Sequence, residues 1–193
     1  MATFDRGFKT WAERTATNIR RELGLAPQDS LDVFKLAAFL DVAVLTPRDI
    51  PGLPSQVLNQ LENQDRFGWH AVSVIVPGER TLLIYNPRKS APRRASDIVH
   101  ELAHIIQDHK PSTVILSQDG SLSMRTYDQK QEDEANWFGW SLLLPREALM
   151  SAMRQHKSIE NIAASYGVST QLVNYRLGVT GVSAQMARMR NRV

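Results

Sequence analysis

Two histidines and a glutamate follow the spacing His-Glu-x-x-His within an apolar stretch of the chain. His100 and His104 are four residues apart, so on a helix they project from the same face and can bind one Zn²⁺ ion through neutral imidazole nitrogens. Glu101 lies about 100° round the helix from His100, where a carboxylate can reach a metal-bound water but is poorly placed to bind the metal itself. The pattern therefore predicts two zinc ligands and one catalytic base, which is the chemistry of a zinc hydrolase.

A catalytic zinc site usually has three protein ligands, and the sequence leaves the third one open. The metzincin pattern is excluded, because Gln107 and Lys110 stand where its glycine and its third histidine would be. Asp108 and His109 lie just after the second histidine, and either could be the missing ligand, although His109 points off the face that carries the histidine pair. Both are weaker candidates than the carboxylates of the next predicted helix.

Two carboxylates on that next helix, Glu132 and Glu134, could each complete a site of two histidines and one glutamate. Glu132 lies four residues before Asn136 on one helical face, so Asn136 could orient the ligating carboxylate or its neighbour. Glu134 lies about 160° away from Glu132, on a side where a solvated charge needs no further explanation. These placements favour Glu132 and keep Glu134 as the alternative.

The candidate ligands need two helices that face each other, and the hydrophobic pattern predicts both. The first runs over about 90–108, and the second runs over 131–144 and ends at Pro145. The other predicted helices are an amphipathic helix from Phe8 to near Gly24, a helix capped by Ser30 and a short helix around 57–61. The predicted strands are 42–45 and a hairpin of 71–76 and 81–85. The segment 110–128 is predicted to be a loop in which residues 114–116 pair briefly. They indicate an α+β fold, in which a small, twisted, mainly antiparallel sheet packs on the two helices and further helices lie at both ends. An edge strand beside the metal helix could pair with an extended peptide substrate.

The composition narrows the class of protein. The chain has 193 residues, 42% of them hydrophobic, which is enough for a substantial core. It has no cysteine, so any zinc must be held by histidine and carboxylate, and the absence of disulfides suits a reducing cytoplasm. No apolar run approaches the roughly 20 residues of a membrane span and the N-terminus lacks a signal-peptide pattern, so we expect a cytoplasmic protein without membrane contact. The net charge of +3 and the pI near 9.4 permit a nucleic-acid partner without requiring one.

The C-terminal segment has the spacing of a helix-turn-helix. An apolar helix ends before Gly167 and leads into a second helix that carries Gln171, Asn174 and Arg176 where a DNA-reading helix would. The alternative is that both helices close the core of the preceding domain. We favour the alternative, because the segment supplies few of the phosphate contacts that dominate DNA affinity. We thus predict a domain over 1–150, a helical extension over 151–180 packed on it, and a basic tail over 181–193.

Several motifs occur together in a specific order: Tyr85-Asn86-Pro87, Arg94, HELAH at 100–104, EDEANWFG at 132–139 and LLLP at 142–145. In these motifs the chain resembles the ImmA/IrrE family of metallopeptidases, over roughly residues 8–180. The family looks like a compact relative of the gluzincins, so the resemblance implies a zincin-like fold. It also implies zinc ligands at His100, His104 and Glu132, with Glu101 as the catalytic base. Gly139 stands where members often carry alanine, a small-for-small change.

The resemblance also implies a partner. It suggests regulated, site-specific cleavage of a helix-turn-helix transcriptional repressor, often in prophages, integrative elements or stress responses. Many relatives carry an N-terminal DNA-binding domain that we do not expect in this chain, which begins directly with the helix around Trp11. We therefore expect the substrate to be a repressor or antitoxin that is encoded as a separate protein.

The group that would stabilise the oxyanion is left open by the sequence. The candidates are polar side chains that could reach the site, namely Tyr127, His156, Tyr166 and Arg94. Two competing hypotheses also stay open: a DNA-binding regulator and a partner-binding regulator, each with a structural or vestigial metal site.

Overall fold

The computed structural model describes residues 4–65, 68–74, 78, 80–110, 114–116, 123–125 and 128–190. Its helices are α1 (Phe8–Glu22), α2 (Val33–Phe39), α3 (Ser55–Asn59), α4 (Ala91–Ile106), α5 (Gln129–Leu143), α6 (Arg146–Arg154), α7 (Ile159–Tyr166), α8 (Thr170–Val179) and α9 (Val182–Arg190), with a 3₁₀ turn at Pro47–Asp49 and a π turn at Gln60–Gln64. Its strands are β1 (Ala43–Leu45), β2 (Ala71–Val74), β3 (Leu82–Tyr85), β4 (Val114–Leu116) and β5 (Ser123–Arg125). These elements confirm the predicted α+β class.

The first three strands form a sheet in the order β1-β3-β2, so β2 lies at one edge of the described sheet. β2 runs antiparallel to β3, as the predicted hairpin requires, whereas β1 runs parallel to β3. The sheet is therefore mixed; with the separate β4–β5 hairpin included, two of the three described strand pairings are antiparallel. The predicted pairing of 114–116 is confirmed by that hairpin. Residues 75 and 76 of the predicted second strand lie outside the described residues.

α4 and α5 pack against each other and carry the two predicted ligand-bearing faces. Ile98 on α4 and Phe138 on α5 are fully buried in the hydrophobic core of the protein. At Gly139 the two helices approach closely, because a Cβ added there would lie only 3.2 Å from the carbonyl oxygen of Val99. Because glycine has no side chain, the two backbones can come this near, and the helix faces that carry the candidate ligands meet.

The N-terminal helices follow the predicted pattern with one correction. Asp32, not Ser30, caps α2: its carboxylate accepts the backbone N–H groups of Phe34 at 2.9 Å and Lys35 at 3.3 Å. The predicted Ser30 cap is wrong, because α2 begins at Val33 and only the residue directly before the first helical residue can reach those N–H groups.

The C-terminal helices form the predicted two-helix turn, and Gly167 lies between α7 and α8 in the left-handed conformation, with φ of 63°. Arg176 on α8 is completely buried: its Nε donates to the Leu144 carbonyl at 3.1 Å, and its Nη2 bonds the Glu13 carboxylate of α1. Arg176 is therefore used inside the protein, which favours the interpretation of these helices as core helices. No described helix has both the length and the apolar composition that crossing a bilayer requires.

Candidate metal centre

Two helices bring three side chains together into what we call the candidate cluster: His100 and His104 from α4 and Glu132 from α5. The two Nε2 atoms are 3.1 Å apart, and the Glu132 carboxylate oxygens lie 3.1 Å from His100 Nε2 and 3.7 Å from His104 Nε2. Zinc bonds of about 2.0–2.2 Å in a tetrahedral site place neighbouring ligand atoms about 3.3–3.6 Å apart. The donor atoms therefore fit a tetrahedral metal ion with two nitrogen ligands and one oxygen ligand.

The cluster is partly open, as a catalytic centre requires. The side chains of His100, His104 and Glu132 keep 21%, 17% and 19% of their surface exposed. Burial lowers the pKa of His100, but the carboxylates of Glu132 and Glu101 outweigh burial, so the pKa is raised overall. The nearby carboxylates therefore favour positive charge at this site, which a proton or a metal ion can supply.

The rear nitrogen of His100 is held by Asn136. His100 Nδ1 lies 3.1 Å from the amide oxygen of Asn136, which stands one turn after Glu132 on α5. An amide oxygen can only accept, so Nδ1 carries the proton and donates it, and Nε2 keeps its lone pair for the cluster. The structure thus places Asn136 where it orients a histidine, which is the neighbour-orienting alternative that the sequence left open.

The rear nitrogen of His104 meets a second histidine. His104 Nδ1 lies 2.9 Å from His109 Nδ1, and His109 Nε2 lies 3.5 Å from a carboxylate oxygen of Glu134. Burial lowers the pKa of His109 and raises the pKa of Glu134. Glu134 is only 13% exposed, so the expectation of a solvated charge at this position is wrong. The structure also places His109 behind a candidate ligand, away from the convergent donor atoms.

Glu101 is held by the edge strand β2, a contact that sequence reasoning missed. One carboxylate oxygen of Glu101 accepts the backbone N–H of Ser73 at 3.0 Å and the Ser73 hydroxyl at 2.8 Å. Burial raises the pKa of Glu101, although the hydrogen bonds from Ser73 and the charge of His100 oppose that rise. Because contacts between a strand and a helix 28 positions apart depend on tertiary packing, no local sequence signal marks Ser73.

The other predicted candidates lie elsewhere. Arg94 donates to the carbonyls of Pro87 at 3.2 Å and Lys89 at 3.3 Å, and the Tyr166 hydroxyl donates to the Pro27 carbonyl at 3.1 Å. The structure places Asp108 and His156 on the surface in the turns after α4 and α6, and Tyr127 lies outside the described residues. None of the described contacts joins Arg94, His156 or Tyr166 to the candidate cluster. The oxyanion donor therefore stays a prediction.

Comparison with known families agrees with this geometry. The family model of the peptidase M78, IrrE N-terminal-like domain, matches residues 59–178, which is more than half of the chain and includes the whole candidate cluster. The chain belongs to this family. Its membership in the M78 family confirms the predicted ImmA/IrrE resemblance and indicates a metallopeptidase-type function. Searches of curated proteins and of solved structures found no match to this M78 chain.

Proposed function

We propose that this chain is a zinc-dependent endopeptidase. The observation that carries the proposal is the convergence of the His100 and His104 Nε2 atoms and the Glu132 carboxylate within 3.1–3.7 Å of one another. Two imidazoles and one carboxylate are a common ligand set of catalytic zinc, and the exposed side of the cluster leaves room for water and substrate. Family membership supports the peptidase part of the proposal.

Each residue near the cluster has a distinct task in this reaction. Bound zinc would acidify a water molecule and polarise the scissile carbonyl. Glu101 takes the proton from the attacking water and delivers it to the leaving amine nitrogen, so one carboxylate serves as base and then as acid. Ser73 fixes the Glu101 carboxylate through two hydrogen bonds at 3.0 and 2.8 Å, which keeps the base next to the cluster.

The edge of β2 supports an extended peptide as substrate. The Asn86 N–H donates to the His70 carbonyl at 2.8 Å, and backbone hydrogen bonds of an antiparallel pair alternate along the strand. The backbone groups of Ala71 and the carbonyl of Ser73 therefore face away from β3, beside the Ser73 N–H that holds the catalytic base. A substrate segment that adds to this edge as a strand would pass the candidate cluster.

The proposed substrate is a helix-turn-helix transcriptional repressor or antitoxin, cleaved at one site. The support is the family resemblance, which implies this class of substrate, together with the strand edge that can hold an unfolded segment of it. Regulation of transcription would follow from the loss of the repressor.

A single substitution tests the peptidase proposal. Glu101→Gln keeps the shape of the side chain but removes the base, so cleavage of the repressor encoded beside this chain should fall at least about 100-fold. Zinc content and the unfolding midpoint should stay unchanged. The matched control is Glu160→Gln, at an exposed position on α7, which should cleave like the wild type.

Two results would overturn the proposal. Full cleavage by Glu101→Gln would exclude Glu101 as the base. A wild-type protein that holds zinc and forms a stable complex with the repressor without cleaving it would show a partner-binding regulator instead of a peptidase.

A further inference from the structure

We propose that His109 and Glu134 form a chain of contacts behind His104 that orients its ring, and we call this chain the rear relay. The inference rests on the proposed metal role of His104. It assigns a positioning function to two residues that lie outside the candidate cluster.

The direction of the hydrogen bonds follows from the contacts. The two Nδ1 atoms of His104 and His109 are 2.9 Å apart, so one of them must donate and the other must accept. If His104 offers Nε2 to a metal ion, its proton lies on Nδ1, and His109 must accept it. The remaining proton of His109 then lies on Nε2, which faces a Glu134 carboxylate oxygen at 3.5 Å. The chain of contacts therefore ends on a carboxylate, whose oxygen lies 3.5 Å from that nitrogen.

The backbone at the end of α4 places His109 against His104. Asp108 adopts the left-handed conformation, with φ of 51°, which is uncommon for a residue other than glycine. The reversal lets the His109 N–H donate to the His104 carbonyl at 3.0 Å and folds the His109 ring back onto its neighbour. The two ring centroids are 4.9 Å apart, and the His109 side chain is only 9% exposed. Its Nδ1 contacts His104 at 2.9 Å, and its Nε2 faces the Glu134 carboxylate at 3.5 Å.

α5 supplies the far end of the relay. Glu134 lies two positions after Glu132, and Lys130 Nζ lies 3.9 Å from its other carboxylate oxygen. The same helix supplies Asn136 to the rear nitrogen of His100. Both histidines of the candidate cluster therefore have a rear partner that depends on α5, one directly and the other through His109. Groups of this kind fix the ring orientation and the proton position of metal-binding histidines.

Zinc affinity of the purified chain tests the relay, measured by competition with a chromophoric chelator. His109→Ala removes the acceptor and should lower the affinity about 10–100-fold, and Glu134→Gln should lower it less, by about tenfold. His109→Asn keeps an acceptor oxygen near the Nδ1 position and should stay within about threefold of the wild type. The matched control is Asp133→Asn, which changes the neighbouring carboxylate on α5, bonded at 2.9 Å to Gln129, and should not alter the affinity.

A second measurement separates orientation from folding. The visible absorption spectrum of the Co²⁺-substituted protein reports the ligand geometry and should change in His109→Ala and Glu134→Gln. Thermal unfolding of the metal-free Glu134→Gln variant should match that of the metal-free wild type. If His109→Ala does not fold, the rear relay is tested by comparing the zinc affinity and Co²⁺ spectrum of Glu134→Gln with those of Asp133→Asn.

The outcomes distinguish this inference from the proposed function. The rear relay would be overturned if the wild type binds zinc and both His109→Ala and Glu134→Gln keep the wild-type zinc affinity and Co²⁺ spectrum. The peptidase proposal would then still stand. A wild type that binds no zinc would overturn the proposed function, and the relay with it.

Discussion

Two clusters of polar side chains lie between helices of this protein, and they are built in opposite ways. Around Arg176, a wholly buried guanidinium donates to the Leu144 carbonyl and to the Glu13 carboxylate, so donors face acceptors. In the candidate cluster, lone pairs of two imidazoles and one carboxylate face one another, and each side chain stays 17–21% exposed. The first cluster is held by hydrogen bonds within the chain and stabilises the fold, although the other terminal nitrogen of Arg176, Nη1, has no hydrogen-bond partner among the described residues. The second brings ligand atoms together in a group that could hold a metal ion, and this difference distinguishes a candidate metal centre from a structural polar cluster.

Removal of a convergent acceptor gives the largest expected effect. Glu132→Gln keeps the shape of the side chain but removes its charge, so zinc affinity should fall at least about 100-fold. Chelator competition measures the change, with Asp133→Asn on the same helix as the control. An affinity equal to that of the wild type would show that Glu132 is not a ligand.

Removal of the buried donor should affect stability instead of metal binding. Arg176→Met leaves the Glu13 carboxylate without its buried partner, and the free energy of unfolding should fall by about 3 kcal/mol. Urea unfolding measures this loss, while the zinc affinity of the folded variant should stay within about twofold of the wild type. If the variant lost zinc affinity but kept its stability, the contrast between the two clusters would be wrong.

The link between the sheet and the base gives a smaller effect. Ser73→Ala removes the hydroxyl bond to Glu101 and keeps the backbone bond, so kcat should fall about tenfold while KM stays unchanged. Ser73→Thr retains a hydroxyl and should recover most of the rate. A rise in KM with unchanged kcat would instead assign Ser73 to substrate binding.

The smallest expected effect is a pH dependence of the metal-free protein. Burial lowers the pKa of His100, but the carboxylates of Glu132 and Glu101 raise it by more than burial lowers it. The pKa of His100 in the folded protein therefore lies above its value in the unfolded chain. A group with a raised pKa stabilises the protein below its unfolded pKa of about 6.5, and the stabilisation is lost as the pH rises through the folded pKa.

A comparison of the metal-free wild type with metal-free Glu132→Gln isolates this contribution. In the presence of a chelator, the wild type should have a higher free energy of unfolding than Glu132→Gln, and this gap should be larger at about pH 6 than at about pH 8. The change in the gap between the two pH values should be less than about 1 kcal/mol. Urea unfolding at the two pH values measures the difference. A gap that widened towards pH 8 would mean that Glu132 does not stabilise protonated His100.

The sequence allowed the prediction of the metal helix, because the spacing of His100 and His104 and the apolar positions around them depend only on helix periodicity. The third ligand could not be decided in this way. Glu132 and Glu134 lie on different faces of the same helix, and their roles follow from which face of α5 meets the histidine pair on α4. Local spacing does not decide which face that is.

The contacts behind the site were also hidden from the sequence for physical reasons. Ser73 reaches Glu101 only because β2 is an edge strand whose outward N–H faces α4. His109 reaches His104 only because Asp108 turns the chain back at the end of the helix, which the helical projection used for prediction does not include. The Ser73–Glu101 contact depends on packing between segments that are distant in the sequence. The His109–His104 contact depends on backbone geometry beyond the end of a regular helix.

The central claim is that two imidazoles from α4 and one carboxylate from α5 hold a single metal ion. Native mass spectrometry of the purified chain with added zinc tests it most directly, with the double variant His100→Gln/His104→Gln as the comparison. We predict a wild-type mass that corresponds to one zinc ion per chain, lost on addition of a chelator and absent from the double variant. A wild type without zinc, or a double variant that retains it equally well, would contradict the claim.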